Sequence, residues 1–321
     1  MTPSDPVRER PARGALAVLA FVVTLVLLAV FPLFAGAYPV KLLQEILIWG
    51  LFAMSLDLLM GYAGMVSFGH SAFFGVGGYV AALLLTKSAP GLSSGLAVPA
   101  LAAGACALVI GLFSTRVSGV YFIMLTLAFS QMFYAVAFQA AWLGAEDGIV
   151  GVPRPSILGV SLTRPVSFHL YLVALFALVA FGLWRVVRSP FGRVIVGIHD
   201  NESRMQAVGY PVNRYKLLAF VVAGVVAGTA GALYAQFVGS ITPDAFFWTT
   251  SGEVLLMVII GGTRTLGGAV LGAAAFILLQ SLVSSYTERW MLILGLTFIV
   301  FVLFAPGGIV GALRGRIGLR A

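Results

Sequence analysis

Apolar runs recur along the whole chain, each followed by a short polar connector, and this alternation limits what the chain can fold into. The runs fall at about residues 15–35, 42–60, 66–86, 96–113, 119–140, 167–187, 216–238, 252–262, 266–285 and 289–305. Crossing the ~30 Å hydrocarbon core of a bilayer takes about 20 helical residues, and most runs reach that length. Backbone polar groups find no water there, so the spans must be helices or a closed barrel. The period-2 alternation of barrel strands is absent. Composition agrees: 60% of residues are hydrophobic and 9% charged, where a soluble domain carries about 25% charged residues. The expected fold is an all-α polytopic membrane protein with about 8–10 transmembrane helices, some broken or half-length.

Charge orients the spans. With the N-terminus in the cytoplasm and sides alternating, only Lys41, Lys87, Arg154, Arg164 and Arg289 of the 19 basic residues fall outside. That is the positive-inside bias, so both termini are expected in the cytoplasm. The expected layout is a tail over 1–14, a membrane domain over 15–310 and a second tail over 311–321, with an inner loop at 188–216 and an outer loop at 141–166. Arg8, Arg10 and Arg13 precede a first apolar run of near twenty residues. A cleaved signal has an apolar region of about 7–15, so this run reads as a retained helix. The net charge of +8 is spread beside the spans rather than gathered in a stripe, which argues against nucleic acid as a partner.

Two spans are irregular. Gly61–Leu85 opens with a stretch rich in glycine and serine, and Gly252–Gly262 is too short to cross straight. Broken helices survive at membrane depth only where protein or a water-filled cavity meets their backbone, and paired glycine-interrupted segments mark transport pathways. Close helix packing through small residues explains the same glycines equally well. Candidate pathway residues are Gly69, His70, Phe73 and Phe74, with Ser130 and Gln131 behind them. "SFG" at Ser67–Gly69 and "TLG" at Thr265–Gly267 hint at an internal repeat.

Catalytic and metal constellations are missing from the sequence. His70, His169 and His199 are far apart, and Cys106 is the sole cysteine, which excludes an internal disulfide and the usual metal spacings. The three lysines follow Val40, Thr86 and Tyr215, so no phosphate-binding G-x-x-x-x-G-K-[ST] loop exists. Glu45, Asp57 and Glu253 lie toward span ends, so no central charge pair suggests ion coupling. The chain reads as neither an enzyme nor a self-powered pump.

Against this background "HDNESRMQAVGYP" (His199–Pro211) reads as a punctuated short helix. Asp200 or Asn201 supplies the N-cap, Glu202 and Ser203 begin the first turn, Gly209 takes the left-handed position after the last turn, and Pro211 forbids continuation. A helix of about two turns is marginal in water, so a docking partner is expected. In the outer loop Glu146, Asp147, Arg154 and Arg164 are offered to an external partner.

At these residues the sequence resembles the permease subunits of bacterial ABC importers for branched-chain amino acids, the LivH/LivM type. Glu202, Ala207 and Gly209 match the family's degenerate Glu-Ala-Ala loop, inside a frame "SPFGR…NE…AVGY…YKLLAF" similar to the LivM branch; Met205–Gln206 depart from it. "GYAGMVSFGHSAFFGVGGY" (Gly61–Tyr79), "GVYFIMLTLAFSQM" (Gly119–Met132), "GAEDGIVGVP" (Gly144–Pro153) and "LFAPGGIVG" (Leu303–Gly311) resemble further family blocks. The resemblance implies a coupling helix at Asp200–Gly209 seated in an ATPase. It also implies a second homologous, LivH-like permease, two ATPase subunits that hold ATP and Mg, and a periplasmic amino-acid-binding protein, in a bacterial inner membrane. No cofactor is expected in this chain. Branched-chain amino acids are the implied cargo, with urea or short amides as the alternative within the family. A secondary transporter or channel working without an ATPase is the rival class.

Overall fold

The computed structural model describes residues 22–87, 91–157, 160–287, 289–304 and 307–316. Arg8, Arg10, Arg13, Arg320, the whole 1–14 tail and the start of the first run lie outside the described residues. The helices are α1 (Val22–Leu33), α2 (Ala37–Asp57), α3 (His70–Lys87), α4 (Val98–Ser114), α5 (Val120–Gln139), α6 (Pro165–Arg188), α7 (Pro190–Asp200), α8 (Glu202–Ala207), α9 (Val212–Val238), α10 (Trp248–Gly261), α11 (Leu266–Ser284), α12 (Trp290–Phe304) and α13 (Gly308–Arg316). Among the described residues, six helices are long and apolar enough to cross a membrane. The chain is an all-α, multi-pass membrane protein.

Burial separates centre from rim. The most apolar stretches of α2 and α9 are 78% and 67% buried, while that of α5 is 22% buried and turns outward. α3 packs along α9 and α4 and is largely buried. Its glycines do the packing: a methyl carbon added at Gly77 would sit 2.0 Å from the Gly228 carbonyl oxygen of α9, and one at Gly231 would sit 1.9 Å from that of Phe74. Small residues let the two backbones meet where lipid offers no hydrophobic drive. Around this crossing Phe52, Phe73, Phe74 and Phe220 are fully buried, with Phe52 and Phe74 rings 4.6 Å apart and Phe73 edge-on to Phe220 at 5.2 Å.

Both irregular spans are breaks. After α2 the chain makes a π-helical turn (Leu58–Tyr62) and runs without regular structure to Gly69, and α3 starts at His70 rather than near residue 66. α10 has 14 residues, about 21 Å of rise, shorter than a bilayer core. It ends in a tight turn, Gly262–Thr265, from which α11 leaves. "SFG" and "TLG" thus stand at the starts of the helices that follow the two breaks.

Two features go beyond the sequence expectation. The stretch before the short helix, expected as loop, forms α7. Ser189 caps it by accepting from the Gly192 amide at 3.2 Å, Pro190 occupies the first turn, and Gly192, Ile195 and Ile198 form its buried face. That apolar spacing was legible but interrupted by Arg193 and His199. In the outer loop the expected turns are present, joined by β1 (Ile149–Val150) pairing antiparallel with β4 (Ser240–Ile241), and by β2 (Ser156–Ile157) with β3 (Val160–Ser161).

Candidate functional site

The α7–α8 module is joined to the membrane helices by specific bonds. Of the two possible caps, Asn201 is the one used: its side-chain oxygen accepts from the Arg204 amide at 2.9 Å. Gly209 closes α8 at φ +93°, with its own amide bonded to Gln206 and that of Tyr210 to Met205, a Schellman ending. Glu202 turns inward and accepts from the Lys216 ammonium at 2.6 Å; the Lys216 side chain is 8% exposed. Met205 lies on Gly197 of α7, whose added Cβ would approach its sulfur to 3.0 Å. Ser203, Ala207, Val208 and Gly209 remain exposed as one outward patch. Below it a cavity of about 270 Å³ opens between the module and the first break, lined among others by Gly64, Met65, Phe122, Ile198, Glu202 and Lys216.

The other candidate cap, Asp200, has a different task. It accepts from the Arg264 guanidinium at 3.2 Å, across to the turn between α10 and α11. Arg264 itself has φ +62°, a left-handed conformation that costs a non-glycine residue about 1–3 kcal/mol and persists only when neighbours hold it. They do so from α2 and the π turn: the Asp57 carboxylate accepts from the Arg264 amide at 2.9 Å, and the Tyr62 hydroxyl donates to the Arg264 carbonyl at 2.9 Å. His199 of α7 completes the joint with a 2.9 Å bond to the Gly61 carbonyl; a carbonyl only accepts, so Nδ1 carries the hydrogen. Gly61 is wedged here, since a Cβ would come within 2.2 Å of the Asp57 carboxylate and 2.6 Å of the Arg264 amide.

The expected pathway residues meet at another depth. His70 is fully buried, 2.8 Å from the Ser55 hydroxyl and stacked on Phe52 at 5.4 Å. Gly69 abuts the Thr126 carbonyl, where a Cβ would come within 2.2 Å. Ser130 donates to the Phe246 carbonyl ahead of α10 and bonds the Ser71 hydroxyl at 2.9 Å, while the Ser71 amide donates to Ser251 of α10 at 2.8 Å. Phe73 and Phe74 are 0% and 1% exposed, and the Gln131 amide nitrogen is buried without a partner among the described residues. In this conformation the cluster is a packed junction joining α2, α3, α5 and α10.

On the outer loop, Glu146 and Asp147 lie exposed in a single turn (Ala145–Asp147), and Arg164 is exposed at the start of α6. Arg154 differs from them. Its guanidinium sits 4.3 Å over the Phe168 ring and donates to the Thr163 carbonyl at 3.3 Å, and burial lowers its pKa below the usual arginine value. It fastens the loop instead of standing free.

The family model described as branched-chain amino acid transport system / permease component matches residues 38–303. The chain belongs to this permease family. Among its relatives is the LivM permease protein of the high-affinity branched-chain amino acid transport system of Escherichia coli (strain K12), 26% identical over 94% of this chain and 76% of that protein. The probable LivM permease of Methanocaldococcus jannaschii is 25% identical over 81% of this chain and 86% of that protein. The E. coli LivH permease is 21% identical over 82% and 91%. No solved structure matches the chain. These relatives are transport permease subunits, not enzymes, and they favour an ABC permease over a transporter that works alone.

Sequence reasoning on this permease missed Asp57, Tyr62, His199 and Arg264 as a group. Two clues were present: an aspartate inside an apolar run, and an arginine in an otherwise glycine-rich turn. Nothing in their spacing of some two hundred residues joins them.

Proposed function

We propose that this permease is the LivM-like subunit of an importer that moves branched-chain or related amino acids inward by alternating access. ATP is hydrolysed on two separate ATPase subunits, and a second, LivH-like permease completes the pathway. A periplasmic amino-acid-binding protein delivers cargo to the outer face, and the assembly sits in the bacterial inner membrane with both termini of this chain in the cytoplasm. The charge bias across the loops supports that orientation. The observation that carries the reading is the family match over residues 38–303, in a chain whose α8 exposes a capped patch of Ser203, Ala207 and Gly209 next to the membrane helices. In this reading α8 seats in the ATPase and its displacement is passed to the membrane helices. ATP shifts the inward–outward balance only by binding the two states differently. The segment from Gly69 to Phe74, with Ser130 and Gln131, borders the pathway and repacks between states. Glu146, Asp147 and Arg164 meet the binding protein, with Arg154 holding their loop.

The test is reconstitution of the chain with its companion permease, ATPases and binding protein in liposomes. ATP-dependent uptake of labelled leucine, isoleucine or valine is expected, with none when the ATPases are omitted. Uptake of urea in preference to these amino acids would refute the cargo, and ATP-independent accumulation by the chain alone would refute the mechanism.

A further inference from the structure

We propose that Asp57 is a positioning residue for transport, a clamp that makes the α7–α8 module, the break after α2 and the turn after α10 move as one body. The inference rests on the coupling reading above and adds the route by which motion at α8 reaches the half-helix α10.

The three segments form a closed ring. From the module, His199 bonds Gly61 at 2.9 Å and Asp200 pairs with Arg264 at 3.2 Å. From the break after α2, Asp57 and Tyr62 grip the two sides of the Arg264 peptide, amide and carbonyl, each at 2.9 Å. Arg264 is thus held at its amide, carbonyl and guanidinium by residues from two other segments. The joints are unequal. The Asp200–Arg264 pair is exposed, with side chains 61% and 41% accessible, and such pairs add little strength. Asp57 is fully buried, and its bond to the Arg264 amide lies in surroundings that exclude water, where a hydrogen bond is stronger. It also holds the one non-glycine residue of the turn with a positive φ, +62°, which cannot relax while the side chain of Asp57 is in place. Asp57 accordingly transmits and the Asp200 pair only aligns. The half-helix gains a direct tether to α2: Asp57 pulls on the Gly262–Thr265 turn, whose Thr265 hydroxyl bonds the Gly262 carbonyl at 2.6 Å. α10 begins at the packed junction with Ser71 and Ser130. A shift of the module therefore reaches that junction along α10 as a rigid rod.

The experiment uses the complete reconstituted transporter and reads cargo moved per ATP hydrolysed, alongside subunit assembly. Asp57→Ala is expected to assemble and hydrolyse ATP but to lose about ten-fold in cargo per ATP, within the usual range of coupling factors. Asp57→Asn keeps an acceptor oxygen for the Arg264 amide and should restore the ratio to near the parent value. An unchanged ratio in Asp57→Ala, or an Asp57→Asn as uncoupled as Asp57→Ala, overturns the clamp. Should Asp57→Ala fail to fold, spin labels on Arg193→Cys and Thr263→Cys, with Cys106→Ser, decide on the parent background. One unchanged distance in nucleotide-free and ATP-trapped states is expected, and a distance that shifts between them refutes the single body. Cross-linking from Ser203→Cys to the ATPase separates the two readings. No cross-link means the coupling assignment has failed; a cross-link with intact coupling in Asp57→Ala means the clamp alone has failed.

Discussion

The α7–α8 module and the outer loop at 141–165 are both polar excursions from an apolar bundle, yet they are held differently. In the module, side chains make the joints: Glu202 with Lys216, Asp200 with Arg264, His199 with Gly61, Asn201 on its own helix. In the loop, Arg154 apart, backbone makes them, through β1 on β4 and the Val152 amide on the Gly239 carbonyl at 2.9 Å. The charges divide accordingly. Both acidic residues of the module pair within the chain, Glu202 with Lys216 and Asp200 with Arg264, whereas Glu146, Asp147 and Arg164 make no ion pair among the described residues. Side-chain joints fix orientation and suit a part that passes on motion; backbone joints fix shape and leave charge for a partner.

The comparison breaks most severely at Gly148. Its φ is +69° and a Cβ would come within 2.1 Å of the Ile241 carbonyl oxygen, so Gly148→Val should destroy the β1–β4 pairing at about 1–3 kcal/mol or more. Accelerated protease cleavage between residues 141 and 165 is the readout; a loop as resistant as the parent's would show that backbone pairing is not what holds it. Next, Glu202→Ala leaves the Lys216 ammonium buried and unpaired. A hydrogen bond between charged groups contributes about 1.5–3 kcal/mol, and Glu202 is partly exposed, so the lower end is expected. Hydrogen exchange at the Ser203–Ala207 amides should quicken, and equal exchange rates would disprove the internal role given to Glu202. Asn201→Ala removes a cap and should cost the short helix about 1 kcal/mol, with Asn201→Asp close to neutral; circular dichroism is too coarse, so amide exchange at Arg204 is the measurement. Smallest in stability is the double change Glu146→Lys with Asp147→Lys, within about 0.5 kcal/mol because both are exposed. It should weaken capture of the binding protein while leaving ATPase association intact, and unaltered binding would remove these residues from the docking face.

Much of this was legible in one dimension. The spans were readable because hydrocarbon demands about twenty apolar residues from any helix that crosses it. The punctuation of α8 was readable because capping is local: Asn201, Glu202 and Gly209 act within a few residues of one another. The β1–β4 pairing was not, because neither strand is longer than two residues and the partners lie far apart in sequence. For the glycine-rich segment, both readings of its composition were open. The structure uses Gly77 and Gly231 for contact between α3 and α9, a choice that depends on which helix arrives opposite.

By itself, then, the chain determined its solvent, its apolar spans, their breaks and the glycine stop of its short helix, since each depends on neighbours within a few turns and on the polarity of the medium. Which of Asp200 and Asn201 would cap and which would reach across to Arg264, whether His70 would be packed or open, and that Asp57 would meet an amide about two hundred positions away were left to the tertiary structure. Hydrogen bonds and close packing act over a few ångströms in space, and only the folded arrangement of the helices decides which distant residues come that close.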